Sequence, residues 1–122
     1  MSAQATPQGQ ALPSAHFANT REQATFSAAG PQPRFLLDSE QGAVVVAGLE
    51  AGQQIPAHPE GTAIYHFLEG SGTMLVDAER YAVAAGSTVI VPAGAHRGMQ
   101  AATRLVFLAV KFAGSPTAAS QA

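Results

Sequence analysis

Apolar positions between residues 31 and 112 come in short runs of β-branched and aromatic residues. Arg34 to Asp38, Ala43 to Leu49, Ala63 to Glu69, Thr73 to Asp77, Tyr81 to Ala84, Thr88 to Val91 and Arg104 to Phe112 each read as a strand. Gly, Pro, Asp and Ser turns separate them, among them Ser39-Glu-Gln-Gly42 and Gly70-Ser-Gly72. A 3.6-residue period is nowhere sustained for three turns, so the pattern predicts an all-β domain. Seven or more short strands in so few residues suit a closed double-sheet barrel, because closure or layering hides the strand edges. Residues 1–30 and 113–122 are rich in Ala, Gln, Ser and Pro without periodicity and read as an N-terminal arm and a C-terminal tail around a barrel at 31–112. No repeat or second domain is visible.

Composition narrows the function classes. Of 122 residues, 47% are hydrophobic and only 11% charged. A surface so poor in charge leaves apolar area for another subunit, so a homodimer is expected, with the arm packing across or beside the partner. The formal net charge is −2 and the six Lys and Arg are scattered, which argues against nucleic acid as a partner. The chain has no cysteine, which excludes thiolate catalysis, disulfides and Cys-based zinc sites. The N-terminus has neither a basic start nor an apolar run, and no stretch reaches the ~18 apolar residues of a membrane span. A cytoplasmic protein without membrane contact is the expectation.

Two blocks each deliver one histidine from a strand end. The first runs Gly52-Gln-Gln-Ile-Pro-Ala-His58-Pro-Glu60 into Ala63-Ile-Tyr-His-Phe-Leu-Glu-Gly70; the second is Gly86-Ser-Thr-Val-Ile-Val-Pro92-Ala-Gly94-Ala-His96. Together they resemble the two motifs of the small single-domain cupins (the RmlC-like superfamily), G-x5-H-x-H-x3-4-E-x6-G and G-x5-P-x-G-x2-H-x3-N. The resemblance covers roughly Pro33 to Phe112 and implies a jelly-roll barrel, the double-stranded β-helix. Cupins that hold Fe, Mn, Ni or Zn use two histidines, a carboxylate or Gln, and a third histidine.

Here the metal motif is degenerate. His58 keeps the first histidine, but Glu60 stands at the second position and Ala63 in the carboxylate column. In the second motif His96 follows Gly94 after one residue instead of two, with Gln100 four residues on. One alignment deletes a turn residue and keeps His96 as the motif histidine; the other puts Arg97 in that column, an Arg instead of a ligand. Under the first, His58, Glu60 and His96 form a two-histidine, one-carboxylate set for one divalent metal with open positions for water or substrate. Residues 58 and 60 share strand parity, which lets both face inward.

Tyr65, Phe67, Arg97, Met99 and Phe107 are the expected ligand-binding residues of an apolar barrel interior, with Arg97 placed to meet a carboxylate. Alternation turns His66 away from the face of Ala63, Tyr65 and Phe67, and His16 reads as solvated. No nucleophile elbow or phosphate loop is present. Two function classes stay open: a cupin that binds a small organic ligand, with or without a metal, and a metal-dependent dioxygenase, isomerase or lyase acting on a small organic acid.

Overall fold

The computed structural model describes residues 13–113, so the first twelve residues of the arm and nearly all of the tail lie outside the described residues. After a single 3-10 turn at Thr20–Gln23 come nine strands: β1 Gln32–Ser39, β2 Gly42–Leu49, β3 Gln54–Pro59, β4 Ala63–Glu69, β5 Ser71–Val76, β6 Glu79–Ala84, β7 Thr88–Val91, β8 His96–Ala101 and β9 Leu105–Phe112. They form two sheets, ordered β1-β2-β9-β4-β7 and β3-β8-β5-β6, and every pairing is antiparallel. This is the expected all-β jelly roll. Its core is where alternation puts it: Leu49, Tyr65, Phe67, Leu105 and Phe107 of the first sheet face Met74, Val83, Met99 and Ala101 of the second, all buried.

Strands β3 and β8 are absent from the sequence pattern, for two different reasons. Gln-Ile-Pro-Ala-His-Pro carries two prolines, which a sheet tolerates only at an edge, and β3 is the edge of its sheet. His-Arg-Gly-Met-Gln-Ala has no β-branched residue; β8 is a strand because β3 and β5 pair with it on both sides. The register between them is irregular. Ile55 pairs with Met99 and His58 with Arg97, so Pro56 and Ala57 together oppose Gly98 in a bulge. A Cβ on Gly98 would lie 2.5 Å from the Ile55 carbonyl oxygen and 2.8 Å from the Ala57 nitrogen. Glycine therefore lets the bulge close over β8. The motif glycine Gly70 is held similarly, at φ +85° with a Cβ driven into the Arg104 carbonyl.

The described part of the arm makes contacts to its own barrel. Gln53 Nε2 donates to the Ser27 carbonyl at 2.7 Å, Arg21 pairs with Glu69 at 2.9 Å, and the Arg104 guanidinium sits 4.1 Å from the centre of the Phe26 ring while holding Glu50 through two hydrogen bonds.

Candidate functional site

Cross-strand pairing decides which side chains enter the barrel, since directly paired residues share a face. Met74 pairs with Met99 and Val76 with Arg97, and Met74, Val76 and Met99 belong to the core. Arg97 is therefore on the inner face and, among the described residues, is the one charged residue that is buried, 1% exposed. His58, paired with Arg97 just past the bulge, shares that face. On the opposite sheet the alternation Leu105, Phe107, Ala109 continues to Lys111, which pairs with Ala63 on the inner side. These groups border a cavity of about 350 Å³ whose wall is otherwise mainly apolar, including Pro31, Val45, Ala47, Ile55, Tyr65 and Phe107.

Arg97 is held by backbone carbonyls. Its Nε donates to Ala95 at 3.1 Å, and its Nη2 to Glu60 at 3.1 Å, Pro92 at 3.2 Å and Ala95 at 3.0 Å. The guanidinium thus ties the β3–β4 loop to the β7–β8 loop. Its third nitrogen, Nη1, is buried and has no hydrogen-bond partner. Among the described residues no carboxylate pairs with Arg97.

His58 Nε2 lies 2.6 Å from Glu60 Oε2 and Nδ1 2.9 Å from the Pro56 carbonyl oxygen. The other oxygen of Glu60 is 3.2 Å from Lys111 Nζ. Partial burial pushes the Glu60 carboxyl up, but the His58 hydrogen bond and the charge and hydrogen bond of Lys111 outweigh it, and the net position is below the ordinary carboxylate range. A carboxyl depressed in the folded state adds stability that is complete above its unfolded value and is lost as pH falls through its folded value. Thermal melts of the native protein and Glu60→Gln are expected to differ most at neutral pH and to converge on acidification below the ordinary carboxylate range. A gap that stays constant down to pH ~3 would overturn this assignment.

His96 does not join His58 and Glu60. Alternation on β8 turns it outward: its side chain is 60% exposed, its backbone N–H donates to Asp77 Oδ1 at 2.8 Å, and its ring nitrogen lies 3.9 Å from the same oxygen. The structure follows the alignment with Arg97 in the histidine column, because the shortened turn moves the residue after His96 to the inner face. Among the described residues no three His, Asp or Glu side chains converge. The pair that does meet is unsuited to a divalent ion. Both His58 nitrogens are engaged by oxygens, and the Glu60 carboxylate is already paired with Lys111 and the His58 ring, with the Arg97 guanidinium bound to the Glu60 carbonyl. The residues present do not fit the metal that the cupin motifs imply.

Of the expected ligand-binding residues, Tyr65, Arg97, Met99 and Phe107 line the cavity and Phe67 does not. Phe67 is fully buried on the far side of Phe107, ring centroids 6.0 Å apart; with Phe107 it fills one end of the barrel and leaves the other open. His66 faces outward, as alternation requires, with Nδ1 2.8 Å from the Thr88 hydroxyl, and His16 is exposed. A second groove, about 380 Å³ along β6 and β7, carries no charged side chain. Lys111 was not singled out in the sequence, although its alternation with Leu105, Phe107 and Ala109 was there to read.

The cupin-domain family model matches residues 45–111, more than half of the chain. The chain belongs to the cupin family. Among curated proteins none matches it in sequence. In structure this cupin is similar to a conserved protein of unknown function from Streptococcus pyogenes, with a TM-score of 0.75 and 25% identity over 85% of this chain and 92% of that one. It is similar to an RmlC-like cupin from Desulfovibrio desulfuricans, with a TM-score of 0.71 and 23% identity over 84% and 97%. It also resembles the salicylate 1,2-dioxygenase of Pseudoaminobacter salicylatoxidans, with a TM-score of 0.66 and 19% identity over 76% of this chain and 30% of the dioxygenase. At such identities the likeness speaks for the fold alone. No described helix is long and apolar enough to cross a membrane.

Proposed function

We propose that this cupin binds a small organic molecule in the open end of its barrel, using the fixed cations of the wall rather than a metal. The observation that carries the reading is the cavity of about 350 Å³ with a buried arginine in its wall. Small-molecule sites are concave, largely apolar and fitted with a few convergent polar groups, and volumes of roughly 300–1,000 Å³ are usual. The runner-up, a metal-dependent cupin enzyme, has no third donor next to His58 and Glu60 among the described residues. The test is a thermal-shift panel of small acids and neutral molecules, each with and without Mn, Fe, Ni and Zn, alongside metal analysis of freshly purified protein. Ligand stabilisation that needs no metal and is lost in the cavity-filling variant Ala47→Leu is expected. A stoichiometric metal lost in His58→Ala would overturn the reading in favour of the enzyme.

The proposal includes self-association. Paired positions place Leu37, Val44, Val110, Ile64 and Ile90 in one apolar row across the outer face of the five-stranded sheet, with Ile90 70% exposed. Light scattering on the same sample is expected to give a dimer; a monomer at tens of micromolar would sink this part.

A further inference from the structure

A sheet edge leaves a row of N–H and C=O groups unpaired, and proteins guard such edges with proline, charge, bulges or a covering segment. The barrel has four edges, β1 and β7 of one sheet and β3 and β6 of the other. Three of them carry guards. β1 holds Pro33, Arg34 and a bulge between Phe35 and Leu37. β3 holds Pro56, Pro59 and the bulge opposite Gly98, and β6 holds Glu79 and Arg80. β7, Thr-Val-Ile-Val, has no proline, no charge and an unbroken register with β4; its one protection is its length of four residues. The groove of about 380 Å³ lies between β7 and β6, and these two edges do not pair with each other.

The Phe67 N–H donates to the Ser87 carbonyl at 2.9 Å. Backbone groups alternate in direction along a strand, so Val89 and Val91, opposite Tyr65 and Ala63, point to β4 as Ser87 does. Thr88 and Ile90 therefore turn their N–H and C=O to the open side. The Ile90 side chain is 70% exposed, the most of any large apolar residue among those described, whereas Leu37, Val44, Val110 and Ile64 in the same row are half-buried. Apolar surface is thus most open at the edge, not in the middle of the face.

Resting on the dimer proposed for this chain, we propose that two copies join edge to edge through β7, antiparallel about Val89. The backbone groups of Thr88 then meet those of Ile90 of the partner subunit, and the reverse. The occupant is a second copy because the edge complements itself. It brings no charge against its like, and the flanking segments Ala84-Ala-Gly-Ser87 and Pro92-Ala-Gly-Ala95 are small enough to let another barrel approach. Each chain offers one unguarded edge, so pairing about a two-fold axis closes at two copies instead of running on as a fibre.

The test is light scattering of the full chain over a range of concentrations, native, Ile90→Pro and Val44→Glu. Proline at position 90 removes an edge N–H and leaves the β4 ladder intact. The dimer dissociation constant is expected to rise at least about ten-fold, because both copies lose a hydrogen bond, while a charge at position 44, in the middle of the face, should leave it unchanged. Amide exchange followed by NMR needs no variant: Thr88 and Ile90 should exchange more slowly where the native dimer prevails than where the monomer does. Val89 should not change, since β4 holds it in both states. A native monomer at tens of micromolar overturns the self-association reading and this proposal with it, and leaves the edge to a strand of another protein. The edge pairing alone is overturned by a dimer that survives Ile90→Pro with the native circular dichroism spectrum, or that is lost in a folded Val44→Glu. Thr88 and Ile90 amides that exchange equally fast in dimer and monomer overturn it too, and this result decides if Ile90→Pro does not fold.

Discussion

Arg97→Met is expected to lower stability by about 3 kcal/mol, roughly 12–24 °C in melting temperature for a domain of about 100 residues. The substitution removes all four hydrogen bonds that join Arg97 to the carbonyls of Glu60, Pro92 and Ala95. Buried acceptors left without partners cost about 1–3 kcal/mol each. Two of the three carbonyls keep another donor, since the Gly94 N–H reaches Glu60 at 2.8 Å and the Ala95 N–H reaches Pro92 at 3.3 Å. Against the loss stands the relief of no longer burying an uncompensated cation, which is why the sum of the lost bonds overstates the effect. Arg97→Lys should recover little, because a compact ammonium cannot span three carbonyls around a planar group. Urea unfolding read by circular dichroism measures the difference. A variant as stable as the native protein would mean that the guanidinium does not clamp the two loops.

Gly98→Ala should cost about 2–3 kcal/mol and weaken ligand binding in the barrel as well. The new methyl would collide with backbone, the Ile55 carbonyl and the Ala57 nitrogen, not with a side chain that can swing aside. Strand β3 would have to lift off β8, opening the bulge that turns both Ile55 and His58 inward. Both residues border the cavity. Stability and binding are therefore expected to fall together, measured by urea unfolding and by the thermal shift of an acid that stabilises the native protein. An alanine variant of native stability would show that β3 closes over β8 without need of the glycine.

The candidate site was partly legible in the sequence. His58, Tyr65, Arg97, Met99 and Phe107 are found at the cavity, and the motif glycines Gly52, Gly70, Gly86 and Gly94 all have φ between +85° and +97°, as tight turns between strands require. His96 and Phe67 were not legible. Which of two neighbours on a strand faces inward depends on a single residue of register, and the shortened turn before β8 made His96 the simpler choice and Arg97 the alternative until pairing with Val76 and His58 fixed the parity. Phe67 has the right parity, but how far along the barrel the packed core extends depends on what the opposite sheet puts across from it.

By itself the sequence determined the class and the family. Strand periodicity needs only the order of residues along one segment, and turn glycines need only local backbone geometry. Tertiary structure decided the rest. It made strands of Gln54–Pro59 and His96–Ala101, which lack strand character, by supplying partners for their backbone groups. It gathered Arg97, Lys111, His58 and Glu60 from β8, β9, β3 and the loop after β3 into one charged cluster. A site assembled from distant segments is a property of register and sheet packing, which set the distances between charges that no local pattern encodes.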